Sequence, residues 1–141
     1  MCRAHATVRE LLAVLVANAE GPTVVDLEAG LENLTRATPR HAGTLLIVLE
    51  PYFKSLETGR RIRALAQELP IPRVLGVANK VRSKEEEDAI RAFAASHDIE
   101  LAAVVPQDEA IAQADIAGRS PVDASPDAPA VAAIRQLAEH L

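Results

Sequence analysis

The run Thr44-Leu-Leu-Ile-Val-Leu49 is apolar at every position after Thr44. An extended segment of that kind needs cover on both faces, the situation of a strand inside a parallel sheet with helices on either side. The requirement returns along the chain. Arg73-Val-Leu-Gly-Val-Ala78 and Leu101-Ala-Ala-Val-Val105 repeat the pattern, and Thr23, Val24 and Val25, closed off by Pro22 and followed by Gly30, predict a further buried strand. The segments between them carry helical spacing. Thr7 and Glu10 form a T-x-x-E cap for a helix with Val8, Leu11, Leu12 and Leu15 on one face, and Ser55 is placed to cap a helix with Leu56, Ile62, Leu65 and Leu69, stopped by Pro70 and Pro72. Ser83 and Glu86 form a capping box, so the acidic run Ser83–Asp88 reads as a helix start with Ile90, Phe93 and Ala94 on the buried side and His97-Asp98 at the end. A short helix from Glu109 to Ala117 ends at Gly118, and a last one from Ala130 to Leu141 lines up Val131, Ile134, Leu137 and Leu141. Gly30–His41 reads as a loop with room for a short helical turn, and the Pro- and Ser-rich Arg119–Pro129 as extended or turning chain. Alternating strands and helices predict an α/β fold, a mostly parallel sheet flanked by helices, with residues 1–141 as a single domain.

Composition narrows the function classes. Aromatic residues are 2% of the 141, so the core is packed from Ala, Val, Leu and Ile and there is no platform on which bases would stack. A net charge of −5 argues against nucleic acid and anionic membrane as partners. Leu11–Ala19 has the look of a signal-peptide core, but Glu10 and the helical spacing favour a packed helix, and no run is long enough to span a bilayer. The single cysteine, Cys2, excludes an internal disulfide and fits a reducing, cytoplasmic compartment.

Three features fall at carboxyl ends of the expected strands, the edge where parallel α/β sheets bind ligands. They are Asp26 with Glu28, Asn79 with Lys80, and Pro106 with Asp108. A carboxylate such as Asp26 suits a water on Mg²⁺; the alternative is a strand-end Asp that opens an ordinary loop. Asn79 offers both donor and acceptor, as a purine edge requires, and the Lys80 stem can lie along a base or close a loop. Arg36, Arg40 and His41 suit phosphate or a partner, or are solvated loop charges. His41, His97 and His140 read as surface residues.

In this order Asp26-Leu-Glu-Ala-Gly30, Val48-Leu-Glu-Pro51 with Ser55-Leu-Glu-Thr58, Asn79-Lys-Val-Arg82 and Val105-Pro-Gln-Asp108 resemble the motifs of the MinD/ParA-type P-loop ATPases. The likeness is greatest to the CooC-like accessory proteins, which use ATP while nickel is inserted into carbon monoxide dehydrogenase, and it covers nearly the whole chain. The resemblance implies that Asp26 acts catalytically beside Mg²⁺ and the γ-phosphate, with Ala29 and Gly30 in a moving switch. It implies that Asn79 contacts adenine, with Lys80 next to it, and that Pro106 and Asp108 border the base. It also implies a homodimer that binds ATP and Mg²⁺, with a metalloenzyme client such as carbon monoxide dehydrogenase.

Two departures qualify that picture. The family's G-x-x-x-x-G-K-[ST] loop, whose backbone N–H groups and lysine hold the phosphates, is absent from these residues. The expectation is a carboxyl-terminal part of such an ATPase, truncated or mis-started upstream, that by itself neither binds ATP tightly nor hydrolyses it. Nickel-handling relatives carry a Cys-x-Cys pair from both subunits just before the helix matching Thr7–Glu20, whereas this chain has Cys2 alone, with His5 nearby. Cys2 from two copies would give a thiolate pair for Ni²⁺ or Zn²⁺; an unremarkable terminal thiol is the other reading. Two further functions stay open: a non-enzymatic remnant that dimerises or binds a metal or partner, and, lowest, a partition-type ATPase, whose membrane-binding tail the Lys-poor closing helix does not resemble.

Overall fold

The computed structural model describes residue 14, residues 20–27 and residues 42–141. Among these, three strands form one sheet in the order β1 (Thr44–Leu49), β2 (Arg73–Val81), β3 (Glu100–Pro106), all parallel. Helices α1 (Phe53–Ala66), α2 (Lys84–Ser96), α3 (Glu109–Ile116), α4 (Pro121–Ala124) and α5 (Pro129–Glu139) complete the chain order. The α/β class, the parallel sheet and its flanking helices are as the sequence predicts. No helix among the described residues is long and apolar enough to cross a membrane.

Strand alternation divides the core. Ile47, Leu49 and Ala78 point to the face where Ile90 and Ala94 of α2 pack, whereas Val77 and Val105 meet Ala130 and Leu137 of α5 on the other. The apolar run of β1 is buried on one face, at Leu45, Ile47 and Leu49, whereas on the other Leu46 is half-buried and Val48 is 55% exposed. Helix α1 approaches the sheet through its small residues. Gly59 and Ala66 are its buried positions, with Leu56, Ile62 and Leu65 half-buried alongside. A Cβ on Gly59 would run into the Leu49 side chain. The glycine sets how closely helix and strand approach.

Helix α2 starts on the expected Ser83, whose Oγ accepts the Glu86 N–H at 3.3 Å, while the Glu86 carboxylate accepts the Arg82 N–H at 2.8 Å. The return bond thus goes one residue upstream of the cap. The helix ends with Asp98 in the left-handed region (φ 55°) and the Ile99 N–H on the Ala94 carbonyl at 2.9 Å, a Schellman closure.

Three expectations need correction. Residues 20–27 carry no regular secondary structure, and Val24 is 93% exposed. β-Branched residues favour strands by packing on neighbours across a sheet, and the segment lies outside the three-stranded sheet. Ser55 does not cap α1; Tyr52 holds that position, and the Ser55 hydroxyl accepts the Glu50 N–H at 2.9 Å instead. The stretch before α5, expected to be extended or turning, contains the single turn α4, begun by Pro121. Of the residues lined up along one side of the last helix, Val131 and Leu137 are buried, whereas Ile134 and Leu141 are about half exposed and do not share their cover. The helix expected from Thr7 to Glu20 and the loop Gly30–His41 lie outside the described residues, apart from Val14, which is helical, and Glu20.

Candidate functional site

The site begins with a change of register. Ala78 pairs with Val104 and Val81 with Pro106, so β2 uses one residue more than β3 over this span. The surplus is a bulge made of Asn79 and Lys80, with Lys80 in the left-handed region at φ 56°. Beyond it the strands rejoin: the Gln107 N–H donates to the Val81 carbonyl at 2.8 Å. Asn79 and Lys80, expected just past a strand that stops at Ala78, belong to its last residues.

At the end of β3, Asp108 binds two helices. Its Oδ1 accepts the Ala110 N–H at 2.9 Å, as N-cap of α3, and its Oδ2 accepts the Ala130 N–H at 3.1 Å in the first turn of α5. One carboxylate thereby satisfies backbone donors at two helix N-termini and faces the positive end of both dipoles.

Between these features lies a cleft of about 630 Å³, within the range of small-molecule sites. Asn79, Lys80, Pro106, Gln107 and Asp108 form its strand side, and Ile111, Val122, Val131 and Ile134 line the helical side. Four residues that the sequence expectation assigned to the base, Asn79, Lys80, Pro106 and Asp108, therefore meet at one cleft. The wall from α3, α4 and α5 was missed. Ile134 was the available signal, an apolar residue on the flank of the helical stripe. Arg135 also lines the cleft, with its Nη1 on the Pro126 carbonyl at 2.8 Å.

The lining of this cleft is mostly aliphatic, with Asn79 as a neutral polar side chain and Lys80, Asp108, Asp115 and Arg135 as its charged ones. Asp108 places its negative charge on one backbone donor at each of two helix N-termini, which disfavours an anion there. Lys80 is turned elsewhere: its Nζ lies 3.0 Å from Glu50 Oε1, at the end of β1.

The remaining expected site residues do not gather here. Asp26 is exposed, follows no strand and is not part of the cleft lining. Ala29, Gly30 and Cys2 lie outside the described residues, as do Glu28, Arg36, Arg40 and His41. Among the described residues no three His, Cys, Asp or Glu side chains group as a metal site. His140 is exposed, whereas His97 is half-buried and stacks on Phe93 with ring centroids 4.2 Å apart.

No protein-family model matches the sequence. The chain is 37% identical over 126 residues to the carbon monoxide dehydrogenase accessory protein CooC of Rhodospirillum rubrum, a match covering 89% of this chain and 47% of that protein. It is 32% identical over 119 residues to an uncharacterized ATP-binding protein of Methanocaldococcus jannaschii, covering 84% and 46% respectively. The chain thus spans about half the length of the curated relatives it matches. In fold it resembles a ParA family ATPase from Chlorobium tepidum, with a TM-score of 0.80 at 23% identity over 96% of this chain and 56% of that one. It also resembles the MinD cell division protein of Aquifex aeolicus, with a TM-score of 0.77 at 18% identity over 96% and 59%. By sequence the chain is CooC-like, and its fold is that of the MinD and ParA ATPases.

Proposed function

We propose that this chain is the carboxyl-terminal part of a CooC-like accessory ATPase and that its cleft seats the adenine of ATP. The observation that carries the reading is the meeting of Asn79, Lys80, Pro106 and Asp108 at one cleft on the carboxyl edge of β2 and β3. The residues fit a base rather than a triphosphate. Asn79 can both donate to and accept from a purine edge, aliphatic walls can hold its faces, and the Asp108 carboxylate, seated on one donor at each of two helix N-termini, disfavours an anion beside it.

In this reading the phosphates and Mg²⁺ are held by a glycine-rich loop supplied outside these 141 residues, with Asp26 orienting a water on the metal and Ala29 and Gly30 following the γ-phosphate. Mg²⁺ would supply charge neutralisation of the transferring phosphoryl group. The complete protein would act as a cytoplasmic homodimer that couples ATP binding and hydrolysis to nickel insertion into carbon monoxide dehydrogenase, with Cys2 of each copy in a shared thiolate site.

The test is ATP turnover by the purified 141-residue chain with Mg²⁺. The expected result is none above the buffer rate, unchanged by Asp26→Ala. Turnover that Asp26→Ala abolishes would contradict the division of labour between this chain and an external phosphate loop.

A second reading, association without nucleotide, is favoured by β1, which borders the described sheet with Val48 exposed and is followed by the exposed Tyr52 and Phe53. It predicts a mass in solution that rises with concentration in the absence of ATP and is unaffected by Asn79→Ala.

A further inference from the structure

We propose that Glu50 is a positioning residue for base recognition, holding Lys80 in the left-handed turn that keeps Asn79 at the cleft. The proposal rests on the base-binding reading of the cleft. Lys80 is not a residue that adopts φ 56° without cost, and such a conformation persists where its surroundings over-determine it. The ladder fixes the bulge on both sides, through Ala78 with Val104 and Val81 with Pro106. The third restraint is the Lys80 head group, 3.0 Å from Glu50 Oε1.

Glu50 is itself well anchored. Its N–H donates to Ser55 Oγ at 2.9 Å and its carbonyl accepts the Tyr52 N–H at 2.7 Å. Leu49 pairs with Ala78, so the next residue on β1's side stands beside Asn79. Among the described residues every other ion pair joins side chains three or four apart in sequence, and Lys80–Glu50 is the one that ties two strand ends together. The pair spans the carboxyl edge next to the cleft, where local stabilisation can set the position of the recognition amide.

The experiment uses the 141-residue chain and two readouts by NMR. The first is the intraresidue amide–Hα NOE of Lys80, strong when φ is positive; the second is the affinity for adenosine. Glu50→Ala is expected to weaken the NOE, shift the Asn79 side-chain amide and reduce adenosine affinity by about two- to fivefold, the span of exposed ion pairs. Lys80→Gly takes the left-handed turn without the tether. In that background adding Glu50→Ala is expected to change adenosine affinity no further, and a further loss as large as that in the wild-type chain would overturn the tether. An unchanged Lys80 turn and unchanged adenosine affinity in Glu50→Ala would overturn this inference alone. Failure of the wild-type chain to bind adenosine would instead overturn the cleft reading and the recognition role with it.

Discussion

Asp108 shows how one side chain can decide what a site accepts. Both oxygens are engaged by backbone N–H groups, at 2.9 and 3.1 Å, from helices that start 20 or more residues apart in the chain. Replacing a capping carboxylate by Ala costs about 1 kcal/mol per helix end, so Asp108→Ala is expected to lose about 2 kcal/mol in urea unfolding. Asp108→Asn, which keeps one acceptor oxygen, is expected to lose about half of that. A loss below about 0.5 kcal/mol in Asp108→Ala would mean that the two bonds do not act as caps. On the outer face of α1, hydrogen bonds from Arg60, then Arg61, pull the Glu57 carboxyl from the usual 4.5 to about 2. Because the folded value is the lower one, its contribution is present above the ordinary carboxylate range and lost as pH falls from about 4.5 through about 2. A carbon-detected titration of Glu57 is expected to show a midpoint near 2, moving up in Arg60→Gln and further when Arg61→Gln is added. A wild-type midpoint near 4.5 would show that the arginines do not hold it.

At the scale of the element, what the sequence discloses depends on how local the physics is. β1, β2 and β3 were legible because an uninterrupted apolar run has few other places to go, and α2 was legible because its capping box lies within four residues. Ser55 was misassigned because its hydroxyl had two possible partners, and the Glu50 N–H at the end of the preceding strand took it. Thr23–Val25 has strand composition without a strand's neighbours, and composition alone did not suffice. The Asn79–Lys80 bulge required knowledge of how β2 and β3 align, which no single stretch contains. The Asp108–Ala130 bond joins residues 22 apart and was equally hidden. Gly59 belongs to this class: its need for hydrogen in place of a side chain comes from Leu49 on the strand beneath. Gly59→Ala is expected to destabilise the fold by about 1–3 kcal/mol through overpacking, despite alanine's better helix propensity. In a Leu49→Ala background the added cost is expected to fall well below that, because the obstructing atoms are gone. Equal costs in both backgrounds would place the strain elsewhere.

For the whole molecule, the α/β layer brings two separated motifs, Asn79-Lys80 and Pro106-x-Asp108, to one cleft at an edge of the sheet. The order of those motifs along the chain carried the family resemblance before any coordinates did, and the 37% identity to CooC and the TM-score of 0.80 to a ParA ATPase agree with it. The helical wall of the cleft was not legible, because α5 reaches it only by folding back over β3. The central claim is that this cleft recognises the base while phosphate recognition lies elsewhere. Its most direct measurement is an NMR titration of the 141-residue chain with adenosine, guanosine and ATP in turn. Adenosine and ATP are expected to shift the amides of Asn79, Gln107 and Ile134 with similar weak affinities, guanosine to bind at least about tenfold more weakly through mismatched polar groups at the base edge, and Asn79→Ala to abolish the preference. Affinity that rises steeply from adenosine to ATP, or shifts that spare the cleft, would contradict the account.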